Sequence, residues 1–332
     1  MRTPHDALRH PACDGFILVA VLWILAALAT LASIFSIYLA NTAVSLSLND
    51  STIQTEALVS ASLELTAYQL TVPKQATVAA TTTATAPTRG DFNFRLGRAD
   101  VRVNFTSETA RIDLNAAPPE LLAGFFGVLG AQPRDAEQYA ERIKAWSTKP
   151  KAASASATSA ASQSSTVSQD NEDALYRAAG RNYSPRRAPF AHVEELSLVV
   201  GVPPALIERA KPYLTVYSGK PQINVLDAAP EVLAAVPGMT PNLLNALTNA
   251  RGTAADPQFI MGMLGPLQSV ATIEGSDAYR VKVRVHFDNG RQEAAEVVIL
   301  VGLEDRPYRV LSWHDGFDAS ATTIQGDTRV YR

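Results

Sequence analysis

The sequence predicts an α+β protein: a long N-terminal helix is followed by two groups of strands, and a large helical insertion lies between those groups. Three observations support this fold class: a long uncharged apolar run near the N-terminus, alternating apolar residues in two separate regions, and helical patterns between those regions. The chain of 332 residues is long enough to form one large or two modest folded units in addition to a membrane anchor. We expect boundaries at a leader over 1–15, a transmembrane helix over 16–40, and further segments over 41–114, 115–222 and 223–332.

The first long segment predicts a membrane span. No charged side chain occurs from Gly15 to Asn49, and Phe16–Ala40 is almost wholly apolar. A helix of that length can cross the roughly 30 Å hydrocarbon core of a bilayer. Arg2 and Arg9 precede the span, and basic flanks stay cytoplasmic. We therefore expect a single-pass protein of the bacterial inner membrane with a periplasmic C-terminal domain.

The junction Gly15-Phe16 predicts cleavage of the precursor between these two residues. A polar leader ending in Gly before an apolar run is typical of prepilin-type precursors, and only Gly lets a peptidase approach the backbone this closely. The mature protein would begin at Phe16, with possible N-methylation, and would lack Cys13, the single cysteine. The alternative is an uncleaved signal anchor. Ala20 is the fifth residue after the cut, where pilin-like chains usually carry Glu, so its identity favours a tip subunit or a protein that is no pilin.

Beyond the span the helical pattern continues. Its predicted apolar positions share a helix-like period, and they are Ile53, Ala57, Leu58, Ala61, Leu65 and Tyr68. Pro73 is expected to end the helix, because an interior proline removes a hydrogen bond. A Thr/Ala-rich loop is expected over Ala76–Thr88.

Alternating apolar residues predict two groups of strands. The first group is Asp91–Leu96, Val101–Phe105 and a return strand Ala110–Leu114; the second is Tyr279–Phe287, Ala294–Val301 and Tyr308–Trp313. Asp288-Asn289-Gly290 predicts a tight turn within the second group.

Between these groups the sequence contains an internal repeat. Ile112-Asp113-Leu114 and Ile223-Asn224-Val225 stand 111 residues apart, and each precedes a Pro-Glu helix entry and a helix ending near a glycine. A third related unit begins at Pro189 and ends at Gly201. These units predict small helical hairpins.

One of these hairpins also resembles a helix-hairpin-helix DNA-binding module. Such modules present backbone N–H groups of a Pro-Gly-x-Gly loop to a phosphate. Here Pro237-Gly238 is followed by Met239 and Thr240, so the second glycine is missing. No Lys or Arg occurs from Leu226 to Ala250, which favours a structural hairpin over a phosphate site.

Taken together, these features resemble the GspK-type minor pseudopilins, the K component of the type II (general) secretion pathway. The matching segments are Gly15-Phe16, Ala20, Ile112–Glu120, Pro189-Phe190 with Val193–Leu196, Pro212–Val216, and Ile223–Val225 with Ala228–Leu233. The resemblance implies a pseudopilin fold, in which the long N-terminal transmembrane helix packs on an antiparallel sheet and a large all-α, SAM-like domain is inserted between the strands. It also implies a place at the tip of a periplasmic pseudopilus beside the I and J minor pseudopilins, contacts with the H and G pseudopilins, and processing by prepilin peptidase.

Members of that family often bind calcium in an acidic loop after a helix that ends in Trp-x-Asp-x-Asp. Here Trp146 is followed by Ser147 and Thr148, so the first acids of that loop are absent. Glu172 and Asp173 are the candidate metal ligands that remain, since Ca²⁺ needs several oxygen ligands. We expect no certain cofactor and a solvated acidic cluster. The Ala/Ser/Thr-rich segment Lys151–Gln169 is expected to be a mobile insertion.

The sequence does not favour an enzyme. It contains no zinc-spaced histidine pair, nucleophile elbow or phosphate-binding loop. The mild net charge of −3 does not favour a polyanion partner, so no nucleic acid is expected. Two other functions stay open: a membrane-anchored, competence-type DNA receptor and a minor pilin of a type IV pilus.

Overall fold

The fold is described from a computed structural model covering residues 14–79, 86–149, 171–253 and 256–316. The chain divides into two units, one ending at Leu58 and the other beginning at Val59. Cys13 and the whole of the predicted insertion Lys151–Gln169 lie outside the described residues.

The first unit consists of a helix that continues into the second. Helix α1 runs from Asp14 to Ala79. Within it, Leu18–Leu39 is long and apolar enough to cross a membrane, and its side chains are exposed along almost the whole stretch. Among the described residues this is the single segment of that kind. It coincides with the predicted span, so the described chain has one candidate membrane anchor.

The second unit is built on a five-stranded antiparallel sheet with the strand order β1-β2-β7-β8-β9. The strands of this sheet are β1 (Arg89–Leu96), β2 (Ala99–Ser107), β7 (Ala278–Phe287), β8 (Gln292–Val301) and β9 (Tyr308–Asp315). Residues between β2 and β7 leave the sheet and form the helical insertion, as the sequence predicts.

Strict alternation gives the sheet one apolar and one polar face. Val103, Val283 and Ala295 meet across neighbouring strands and are buried on the apolar face. The hydroxyl of Tyr308, on the same face, hydrogen-bonds Glu64 of α1. The apolar face therefore packs against the C-terminal part of α1, and the polar face points the other way.

The predicted apolar face of α1 is only partly correct. Ile53, Leu65 and Tyr68 are exposed, whereas Ser62 and Thr66 are fully buried beside Leu63, Ala67 and Leu70. Thr66 can be buried because its hydroxyl donates to the carbonyl of Ser62 at 2.7 Å, which satisfies the donor within the helix. The predicted end at Pro73 is wrong as well, since the helix continues to Ala79.

The insertion consists of short helices around one hydrophobic core that includes buried residues from Ile112 to Ala271. Its elements are β3 (Ile112–Asp113), α2 (Pro119–Val128), α3 (Pro133–Ser147), α4 (171–178), α5 (Pro204–Ala210), β4 (Leu214–Thr215), β5 (Ile223–Asn224), α6 (Pro230–Ala234), α7 (Pro241–Gly252), α8 (Pro257–Met263) and β6 (Ala271–Thr272). This core extends on both sides of the boundary expected at residue 222, and the other expected boundaries stay predictions.

The predicted return strand over Ala110–Leu114 is wrong. Glu108–Ala110 forms a turn of 3₁₀ helix instead, and β3 pairs in parallel with β4 inside the insertion. Strand β2 ends at Ser107, which lies opposite Tyr279 at the end of the register shared with β7.

The internal repeat is visible in the structure. In the first copy of the repeat Asp113 Oδ1 accepts from the N–H of Asn115 at 2.8 Å. In the second copy Asn224 Oδ1 accepts from the N–H of Leu226 at 2.8 Å. Each strand then pairs in parallel with a later two-residue strand, β3 with β4 and β5 with β6. The 111-residue offset therefore marks two similar folded units.

The two copies of the internal repeat approach each other closely at Gly124 of α2. A Cβ atom at Gly124 would lie 2.3 Å from the carbonyl oxygen of Ala235, whereas a Cβ at Gly127 of the same helix would meet nothing within 4 Å. We expect Gly124→Ala to lower the free energy of unfolding by about 1–3 kcal/mol, because a rigid backbone must move. Gly127→Ala should leave it unchanged or raise it by up to about 1 kcal/mol. Urea unfolding of both variants measures this, and equal stabilities would contradict the close contact.

Candidate functional site

A cluster of charged side chains connects the sheet to the helical insertion, and we call it the ionic junction. It comprises Glu108, Arg111, Arg280, Lys282 and Glu296. The local structure explains their positions. Arg280 and Lys282 alternate onto the polar face of β7, Glu296 lies opposite Lys282 on β8, and the 3₁₀ turn after β2 carries Glu108 inward.

Glu108 is the centre of the ionic junction and is fully buried. Arg280 Nε lies 2.8 Å from Glu108 Oε1 and Arg280 Nη2 lies 3.1 Å from Oε2, so the guanidinium binds the carboxylate with two parallel bonds. Arg111 Nη1 adds a third contact at 3.2 Å, and the Thr215 hydroxyl donates to Oε2. The carboxylate thus has partners on β7 and in the insertion.

A second carboxylate extends the ionic junction across the sheet. Arg280 Nη1 lies 2.5 Å from Glu296 Oε1, and Lys282 Nζ lies 3.5 Å from Glu296 Oε2. Arg111 also donates from Nε to the carbonyl of Pro212 at 3.2 Å. Because Pro212 and Thr215 belong to the insertion, the cluster fixes that domain to strands β7 and β8.

The pKa values show how strongly the charges depend on each other. Burial alone would raise the pKa of Glu108, but Arg280 and Arg111 outweigh it and hold this pKa below its usual value of 4.5. Burial likewise opposes ionisation of Glu296, and Arg280 and Lys282 lower its pKa. Burial lowers the pKa of Arg111 to about 10, which still leaves it charged at neutral pH. The neighbouring cations therefore favour the ionised carboxylates of Glu108 and Glu296 despite their burial.

Asp113 forms a second connection, this one within the insertion. Its Oδ2 accepts from the N–H of Gly219 at 2.8 Å and from the hydroxyl of Ser218 at 3.1 Å. Asp113 thereby joins β3 to the loop after β4. Sequence reasoning treated Asp113 only as a strand residue; the repeat with Asn224 was the available signal for its turn-forming role.

The predicted metal ligands Glu172 and Asp173 lie on α4. Asp173 pairs with Arg187 at 2.8 Å. Burial raises the pKa of Glu172, with Arg142 opposing that shift. Within the described residues no group of three His, Cys, Asp or Glu side chains could hold a metal ion. The expectation of no certain cofactor and a solvated acidic cluster stays untested.

The predicted processing residues lie on the membrane-spanning helix. Gly15, Phe16 and Ala20 all belong to α1, and the side chains of Gly15 and Phe16 are not among those described. Cleavage between Gly15 and Phe16, and the role of Ala20 as a tip marker, stay predictions.

The hairpin that resembles a DNA-binding module, at Pro237–Thr240, forms a turn followed by a capped helix. Gly238 adopts a positive φ of 87°, as the turn requires, and the side chain of Thr240 accepts from the N–H of Leu243 at 3.3 Å. Thr240 thus caps α7. Its side chain accepts the hydrogen bond from the Leu243 N–H that a phosphate at the helix start would otherwise accept.

Residues 103–219 match the sequence model of a family described as Type II secretion system (T2SS), protein K. This range starts in β2, covers the whole first repeat unit, and ends at Gly219, the amide partner of Asp113. The chain carries a protein K domain of the type II secretion system. The prediction of a GspK-type pseudopilin is confirmed.

A solved structure supports the fold of this chain. The chain is similar to a protein in the crystal structure of the GspK-GspI-GspJ complex from the type 2 secretion system of enterotoxigenic Escherichia coli. The sequence identity is 16%, the TM-score is 0.51, and the match covers 80% of this chain and 99% of the other. No curated protein matches the chain. The predicted pseudopilin fold with a helical insertion is therefore confirmed.

Proposed function

We propose that this chain is a minor pseudopilin of the type II secretion system, needed for protein secretion across the outer membrane. The observation that carries the proposal is the protein K match over residues 103–219, which begins on the sheet and includes the ionic junction residues Glu108 and Arg111. Among the described residues one segment, Leu18–Leu39, is long and apolar enough to cross a membrane, and we propose that it anchors the chain. The inner membrane is the expected location, because the basic leader precedes the span.

We further propose that the chain occupies the tip of the periplasmic pseudopilus. Ala20 replaces the buried acid that would need a partner from a neighbouring subunit in hydrocarbon. The large insertion, fixed to the sheet through Arg280 and Arg111, would obstruct a further subunit on that side. Both features fit a tip subunit that has other subunits only beneath it.

The partners expected at the tip are the I- and J-type minor pseudopilins. The structurally similar protein comes from a complex that contains GspI and GspJ, and this supports the same partners here. Contacts with H and G pseudopilins and processing by prepilin peptidase are part of the same proposal. A structural subunit needs no catalytic group, and we propose no enzymatic activity.

Co-purification with the two minor pseudopilins tests the proposal. A soluble fragment beginning at Asn41 should elute with I- and J-type pseudopilins as one complex on size exclusion, and deletion of the gene should stop secretion. An unrelated periplasmic protein mixed at the same concentration serves as control and should elute separately. Absence of a complex together with normal secretion after deletion would contradict the proposal.

DNA binding is the outcome that would favour the competence-type alternative. The same fragment should give no salt-sensitive mobility shift at micromolar concentration. A shift that weakens steeply with salt would instead support a DNA receptor. The large helical insertion is the feature that disfavours a type IV minor pilin.

A further inference from the structure

Helix α4 and the loop that follows it pack against the end of α3, where the family resemblance implies a calcium site. We call residues 179–192 the α4 loop. The ring of Trp146 at the end of α3 has its centroid 6.0 Å from that of Tyr176 in α4 and 6.2 Å from that of Phe190 in the α4 loop. Tyr183, also in the loop, contacts both Trp146 and Tyr176. Aromatic packing therefore holds the α4 loop close to the candidate metal ligands.

The oxygen ligands of this region do not fit calcium. Ca²⁺ takes about six to eight oxygen ligands, usually including several carboxylates. The sequence contains no Asp or Glu from Trp146 to Gln169, so the first acids of a calcium loop are missing. Glu172 Oε2 is buried and has no hydrogen-bond partner among the described residues, but Asp173 is already paired. No third Asp, Glu, His or Cys of the described residues joins them in a metal-binding group.

A guanidinium group supplies the positive charge beside Asp173. Arg187 Nη2 lies 2.8 Å from Asp173 Oδ1, and both side chains are 28% exposed. The preceding residue forms a second ion pair, in which Arg186 Nη1 lies 2.5 Å from Glu195 Oε1. The same oxygen of Glu195 accepts from the N–H of Ala191 at 3.1 Å. Two arginines of the α4 loop thus neutralise two acids that the loop contacts.

The backbone at Arg187 is held in an unfavourable conformation. Its φ is 53°, and among the described residues it is the single non-glycine residue with a positive φ. This left-handed conformation brings Cβ close to the following carbonyl oxygen, so residues other than glycine avoid it. It persists only where surrounding contacts determine it. The bond from Arg187 to Asp173 is one such contact, and it ties the loop to α4.

We propose that Arg187 takes the place of a calcium ion in this chain: its guanidinium is the counter-cation of Asp173 and holds the α4 loop on α4 without a metal. Where a loop depends on a metal, the binding free energy of the metal contributes to folding. A cation that belongs to the chain is always present, so the order of the α4 loop does not vary with the calcium concentration. The proposal concerns the cofactor and is independent of the chain's place in the pseudopilus.

Hydrogen–deuterium exchange of the full chain in neutral detergent tests this assignment on peptides that cover residues 179–192. Exchange and the thermal midpoint should be the same in millimolar calcium chloride and in EGTA, since a ligand of the folded state would stabilise it. Arg187→Gln should speed exchange of the α4 loop at least about threefold in both solutions, because Asp173 loses its charge-assisted partner. Arg187→Lys keeps a cation on the same backbone and should stay within about twofold of the unaltered chain.

The matched control is Arg181→Gln, which changes an exposed arginine of the α4 loop that belongs to neither ion pair. It should exchange like the unaltered chain. Slower exchange of the unaltered loop in calcium than in EGTA would overturn the proposal, and so would calorimetry that shows one calcium ion bound per chain at micromolar affinity. Equal exchange in Arg187→Gln and Arg181→Gln would show that the ion pair does not hold the loop. Equal exchange in Arg187→Gln and Arg187→Lys would show that the charge is not what matters, and either result would also overturn it.

Discussion

Replacing Glu108 with Ala is expected to lower the free energy of unfolding by about 3–5 kcal/mol, because it leaves buried cations without their counterion. The Arg280 side chain is 15% exposed and loses two of its charge-assisted bonds. Arg111 loses its carboxylate partner at the same time. Urea unfolding of a soluble fragment beginning at Asn41, followed by circular dichroism, measures the change.

A surface ion pair offers the matched control. Glu208 pairs with Lys211 at 2.7 Å, but its side chain is 68% exposed. Glu208→Ala should therefore cost no more than about 0.5 kcal/mol, since water replaces the lost partner. Similar losses for the two variants would mean that burial does not strengthen the ionic junction.

The pH dependence provides a second readout of the same variant. The pKa of Glu108 lies below 4.5 in the folded state, so its stabilisation is fully present above pH 4.5 and is lost as the pH falls through the folded value. The difference in stability between the unaltered fragment and Glu108→Ala should be constant near neutral pH and should shrink below pH 4.5. A difference that grows on acidification would contradict the assigned ionisation.

The sheet could be predicted from sequence because its signal is local. Strand β7 was expected over Tyr279–Phe287 and is found over Ala278–Phe287, since one face alternates into a core. The tight turn at Gly290 was also predicted, and its φ of 83° is one that glycine adopts without strain. The alternating apolar pattern and the glycine in the turn were sufficient to predict these elements.

The ionic junction could not be predicted, because its partners are distant in sequence. Arg280, which binds Glu108, lies 172 residues further along the chain. The buried face of α1 was missed for a different reason. Apolar periodicity assigns Thr66 to the surface, yet its hydroxyl is satisfied inside the helix and the residue is fully buried. Sequence patterns record apolarity, whereas burial depends on whether each polar group finds a partner.

The internal repeat could be predicted from the sequence only in part. Its 111-residue offset was visible in the sequence, but the pairing of β3 with β4 and of β5 with β6 was not. Two-residue parallel strands carry no period of their own. Their positions become interpretable only once Asp113 and Asn224 are seen to form the same turn.

Gly15→Val is expected to abolish processing of the precursor and, with it, secretion. A β-branched side chain at the last leader position would prevent the close backbone approach that the peptidase needs, since only glycine leaves that position open. The unprocessed chain would stay in the membrane with its basic leader attached. Immunoblotting should show one larger species, and N-terminal sequencing of the unaltered protein should begin at Phe16.

Phe16→Leu is the matched control, because it keeps an apolar residue after the cut and leaves Gly15 in place. It should be processed and should support secretion, which would show that the leader end matters more than the identity of the first mature residue. Normal processing and secretion in Gly15→Val would mean that α1 is an uncleaved signal anchor. The membrane span Leu18–Leu39 would then keep its anchoring role. The tip assignment would lose the argument from Ala20, because that argument counts five residues from a cut at Gly15.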